Sequence, residues 1–140
     1  PALLTLIEGL TAEQALWRPA PERRCIWELA LHMLHWETAV AARMQERPMP
    51  GMDNPWPTLP AWQDEVERDR CWAELIAEVK RSRAELIQAL KVLDPAEPYP
   101  HPDLAEVPHW IAGAGAQVHD SYHLGQVAIL RAMQGLPAVE

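Results

Sequence analysis

The chain has 140 residues, 49 % of them apolar, and a formal charge of −8 from 12 Lys and Arg against 20 Asp and Glu. That length builds one domain with a full hydrophobic core and is short for two. The acidic balance argues against nucleic-acid binding, which needs clustered basic side chains, and no apolar run approaches the ~20 residues that cross a membrane. Residues 2–10 read as an apolar helix ended by Gly9; because the chain opens on Pro1, part of an N-terminal helix is expected to be missing. Thr11 and Gln14 are spaced as a capping box for a short helical turn, closed by Pro19 and Pro21. Residues 26–46 form the first long helix, with no Gly or Pro inside. Five prolines (48, 50, 55, 57, 60), Gly51 and Asn54 make 47–60 a loop. Trp62, Val66, Trp72, Ile76, Val79, Leu86 and Leu90 recur at helical spacing through a second long helix over 62–93. Prolines 95, 98, 100 and 102 break the chain again, and a last helix runs from 107–110 to about 134, where Gly135 and Pro137 stop it. No segment alternates with period two. The expected fold is all-α, a four-helix bundle with long Pro-rich connections, one or both long enough to be crossovers.

On a helix of 100° per residue, Leu29, Met33, Trp36, Val40 and Met44 share one side of 26–46. His32 lies at the edge of that side and His35 well outside it, so His32 points inward and His35 is expected at a surface or interface. Trp27, Leu31 and Leu34 form a second apolar face, read as the interface of a homodimer or as a face covered by neighbouring loops. In the last helix His119 and His123 lie about 40° apart around the axis and about 6 Å along it. Gln126, Leu130 and Met133 continue that face, which should point into the core. Two imidazoles one turn apart can share a metal ion, with His32 as a third ligand from another helix. Cys25 and Cys71 show no paired spacing, so neither a disulfide framework nor a zinc ribbon is indicated. They read as small apolar side chains, and with no signal segment at the start the expected setting is a reducing cytoplasm. Seven Trp and no Phe make indole the main aromatic bulk.

The run from Ile26 through His32 to Trp36-Glu37, followed by Gly113/Gly115 and His119-Asp-Ser-Tyr-His123-Leu-Gly-Gln126 to Leu130-Arg131, resembles the DinB superfamily of bacterial proteins. That family includes YfiT-like metal-dependent hydrolases and thiol-dependent S-transferases. The resemblance implies a four-helix bundle, a homodimer, and a divalent metal ion, zinc or nickel, held by His32, His119 and His123. His35 is an addition to the family pattern, and the N-terminal helix looks curtailed.

Three neutral imidazoles leave a coordination position open, as in catalytic rather than structural zinc sites. No catalytic base is identified. Asp120, about 100° round from His119, is either a partner of the site or a surface charge. Gln126 either orients an imidazole or contacts a ligand, or is an ordinary buried amide. Trp36 and Tyr122 flank the region as core packing or as substrate contacts. Arg83 falls on the apolar face of its helix, where it pairs with a carboxylate, snorkels, or binds an anionic substrate group. Residues 112–116 (Ala-Gly-Ala-Gly-Ala) carry almost no side-chain volume, which favours close helix packing over room for a substrate. Two functions stand: a metal-dependent transferase or hydrolase acting on a small molecule or thiol, and a non-catalytic dimeric binding module with a structural or sensory metal.

Overall fold

A computed structural model describes residues 2–48, 56–99 and 107–139. Five helices follow in order: α1 (Leu3–Ile7), α2 (Ala12–Leu16), α3 (Ile26–Met44), α4 (Glu65–Val92) and α5 (His109–Met133). No helix of the described residues is long and apolar enough to cross a membrane. Their only extended pairing is an isolated bridge between Pro98 and Pro108. The all-α expectation holds, and the start of the chain gives the two separate pieces expected there, each a short helix. Gly9, at φ 84°, makes the turn between them. Thr11 Oγ1 accepts from the Gln14 amide while Gln14 Oε1 accepts from the Thr11 amide, the expected capping box. Prolines 50, 55, 100 and 102, Gly51 and Asn54 lie outside the described residues.

Contacts along the long helices set their directions. Trp27 meets Trp72 at 5.0 Å between ring centroids, Thr38 Oγ1 lies 3.4 Å from Ser82 Oγ, and Arg47 reaches Glu85 at 3.8 Å. Both numbers rise together, so α3 and α4 run parallel. Against α5 the order reverses: His32 lies 4.6 Å from His123, and Trp36 lies 5.4 Å from His119. The first Pro-rich connection is therefore a crossover that joins the end of α3 to the start of a parallel α4. The 19 residues of α3 span about 28 Å at 1.5 Å each, which about nine extended residues can cover. On the way back the chain places Trp56 on His32 and then Trp62 on Trp27, with centroids 3.9 and 5.5 Å apart.

Trp27, Trp62 and Trp72 form the aromatic centre of the core, and the buried Trp72 Nε1 donates to the Leu10 carbonyl at 2.8 Å. This corrects the expected interface on α3. Trp27 is fully buried and Leu34 nearly so, within the chain's own core, because the returning crossover and α4 cover the second apolar face. The stripe of α4 also shifts: Trp72, Leu75, Val79, Ser82 and Ala89 are buried, whereas Val66 and Leu90 are exposed and Trp62 precedes the helix. On α5 the buried side is His123, Val127, Leu130 and Arg131, and Met133 lies outside it. Buried Arg131 ties α5 to the N-terminus, donating to the carbonyls of Leu6 at 2.7 Å and Pro137 at 3.1 Å.

Candidate metal centre

His32 reaches the centre from the middle of α3, and His119 and His123 from successive turns of the antiparallel α5. One ring nitrogen from each lies within 4.8 Å of the other two, and among the described residues no other group of His, Cys, Asp or Glu meets the same condition. His32 Nε2 and His119 Nε2 approach to 3.1 Å. A tetrahedral ion with bonds of about 2.1 Å holds its ligand nitrogens about 3.4 Å apart, so this pair already has the right separation. The donor set fits a divalent ion of the zinc or nickel type.

The surroundings fix the rings. His123 Nδ1 lies 2.7 Å from Gln126 Oε1. An amide oxygen only accepts, so Nδ1 carries the proton and the lone pair of Nε2 is left for the centre. Burial lowers the pKa of His123, with the Gln126 bond opposing and His119 reinforcing the shift, which keeps the ring in the neutral form that ligates. Asp120 Oδ1 stands 3.4 Å from His119 Nδ1, so Asp120 attends the site rather than the bulk surface. Trp56 stacks on His32 with the ring planes 9° apart, and the Arg24 guanidinium lies 4.5 Å over the Trp56 ring. Glu28 anchors Arg24 at 3.1 Å and Arg18 at 2.6 Å, and accepts from the Cys25 amide at 3.0 Å.

Trp36 packs 5.4 Å from His119. Tyr122 touches the edge of His123 at 5.0 Å but is 66 % exposed, so it is no part of the core. His35 is half-buried, with Nε2 enclosed and no hydrogen-bond partner among the described residues. Arg83 pairs with Glu37 at 3.1 Å, the carboxylate pairing expected of it. Cys25 is buried and Cys71 half-buried, both as free thiols outside the triad.

Beside the triad opens a cavity of about 710 Å³, walled by Trp36, Val40, Leu86, Tyr99, Val107, Ile111 and the small residues of α5, with Glu37, Arg43, His119 and Asp120 among them. A Cβ built at Gly113 or Gly115 would meet no atom within 4 Å. Among the described residues no bulky neighbour leans on the 112–116 stretch, so it leaves space there and does not pack closely against another helix, the reverse of the expectation. Two residues of the site were not identified from sequence. Trp56 comes from an irregular loop, and no periodicity could aim it at His32. Glu37 has its carboxyl pushed up by burial, against the opposing pull of Arg83 and reinforced by Asp120. Its signals were a carboxylate next to Trp36 on a largely buried helix and its place at the end of the run that carries the family resemblance.

Among known proteins, a family model described as the DinB superfamily matches residues 1–127. No curated protein matches the chain, and no solved structure does.

Proposed function

The chain belongs to the DinB superfamily, and from that premise we propose that it is a metal-dependent enzyme whose ion, zinc or nickel, is held by His32, His119 and His123. The observation that carries this reading is that His119 belongs both to the cluster of three ring nitrogens and to the wall of a cavity large enough for a substrate. A bound ion there supplies Lewis acidity, making a thiol or a water more acidic than it is in bulk solution. The reaction we infer is transfer of a low-molecular-weight thiol to an electrophile. Sulfur bonds to the electrophilic carbon, the leaving group departs with its electron pair, and the thiol proton passes to a carboxylate oxygen of Glu37. Glu37 suits the task because it lines the same cavity as His119 and burial raises its pKa above the ordinary carboxylate value. Gln126 holds His123 in its ligating tautomer, and Trp56 shields one face of His32 from water. Hydrolysis would use the same groups, with water in place of the thiol.

A structural role for the ion is disfavoured by the position of the tryptophan core, which is built from Trp27, Trp62 and Trp72 without the triad. His123→Ala should abolish zinc binding and turnover of thiol plus electrophile while leaving helicity intact. Turnover of esters or amides with no common thiol active would make the protein a hydrolase, and unfolding on chelation would make the metal structural.

We also infer a homodimer. Ile111, Val118, Tyr122, Ile129 and Met133 are all exposed. Their spacings of seven and four place them in one stripe along α5, the form of a helix that pairs with its own copy about a two-fold axis. The cytoplasm remains the setting we propose, on the two free thiols.

A further inference from the structure

The cavity beside the triad has a chemical preference that can be deduced from its walls. Six of its lining side chains are apolar or aromatic and substantial: Trp36, Val40, Leu86, Tyr99, Val107 and Ile111. Ala112, Gly115 and Ala116 contribute little more than backbone, which is what leaves the space open. The volume of about 710 Å³ lies within the range that encloses a drug-sized organic molecule. Charged groups on the wall are already committed. Glu37 is paired with Arg83, Asp120 stands against His119, and Arg43 is not free either. Among the described residues no wall side chain is left to answer an ionic body, and an anion there would in addition meet two carboxylates; the charge of an ion at the triad faces only the reacting end. Desolvating such a charge without a partner is costly, whereas an uncharged apolar body gains from the walls in proportion to the area it buries.

We propose that this cavity takes the apolar, uncharged body of the substrate, an aromatic or branched hydrocarbon moiety, and directs its polar reacting end towards His119. The proposal rests on the reading of the triad as a reaction centre, since only His119 is common to both. It makes the acceptor in the reaction a hydrophobic electrophile rather than a charged metabolite. The opening formed by Ala112, Gly115 and Ala116 sets how bulky that body can be.

The test uses two fluorescent probes with one aromatic skeleton, N-phenyl-1-naphthylamine and its 8-sulfonate, titrated into the zinc-loaded protein. The neutral probe should bind saturably, one per chain, and at least tenfold more tightly than the sulfonate. An Ala112→Leu/Ala116→Leu double variant fills the cavity from α5 and should weaken the neutral probe at least tenfold. Ala128→Leu, on the exposed side of the same helix, should leave it within twofold. Should the double variant lose helicity, Leu86→Trp fills the space from the opposite wall and carries the same expectation. Equal affinity for both probes, tighter binding of the sulfonate, or unchanged binding in the filled variants would each overturn the proposal. Zinc content measured on the same samples separates this failure from that of the metal reading. Zinc at one per chain with no cavity-dependent probe binding removes the cavity assignment alone. Cavity-dependent probe binding without zinc leaves an apolar ligand site and removes the reaction centre.

Discussion

Replacing Gln126 with Leu isolates what a single hydrogen bond does for the metal centre. In the native protein the His123 Nδ1–H donates to Gln126 Oε1 over 2.7 Å, and His123 is 6 % exposed. Leu keeps the length and helix propensity of Gln but offers no acceptor. The metal-free variant can recover part of the loss by turning the ring or changing tautomer. Once Nε2 is committed to an ion, Nδ1–H must point at position 126 and stays unsatisfied. A buried unsatisfied donor costs about 1–3 kcal/mol, and only the share confined to the metal-bound state lowers affinity. About 1–2 kcal/mol is left for that share, so zinc should bind roughly 5- to 30-fold more weakly, within the range typical of residues that orient ligating histidines. Gln126→Glu restores the acceptor with a charge and should bring affinity back to at least the native level. Competition against a chromophoric zinc chelator at neutral pH measures both variants. If a folded Gln126→Leu protein binds zinc within twofold of the native chain, His123 is not held in the way described.

Three further outcomes follow from the same geometry. Burial alone would raise the Glu28 carboxyl, but hydrogen bonds from Arg18, the Cys25 amide and Arg24 outweigh it and hold it at about 2, below its ordinary 4.5. Its contribution is therefore complete above pH 4.5 and lost as pH falls through about 2. Glu28→Gln should cost about 2 kcal/mol in urea unfolding at pH 7, with the deficit shrinking by pH 3; a deficit independent of pH would refute the ionic account. Trp27→Ala should destabilise the chain by about 3–5 kcal/mol without changing its association. A small loss of stability accompanied by dissociation would restore the subunit-interface role expected from sequence. Conversely, Val118→Lys/Ile129→Lys should turn a dimer into a folded monomer in sedimentation, and a native protein that is already monomeric at micromolar concentration removes the α5 pairing.

The long helices were legible because their apolar residues recur at helical spacing and proline clusters bracket them. The observed α3, α4 and α5 begin and end within three residues of the expected limits. The triad was legible for a related reason. His119 and His123 share a face by spacing alone, and His32 lies on the inward edge of its helix, whereas His35 does not. Which apolar face would be covered, and by what, could not be read. The wheel for α3 shows two apolar sides, but only the crossover's return path decides that Trp27 meets Trp62 instead of a second subunit. Trp56 was invisible for the same cause, since its place over His32 depends on where a loop runs. Residues 112–116 misled because small side chains permit close approach without requiring it, and among the described residues no neighbour closes in.

Helix α3 divides its labour by position. Its first turns anchor the tryptophan cluster, its middle supplies His32, and its later turns, from Trp36 to Arg43, line the chamber beside the triad. Residues that confer robustness are thus separated along one rod from those that choose what enters. Positions 39, 40 and 43 can therefore be exchanged to reshape the chamber while the indole anchor stays untouched, without refounding the fold each time.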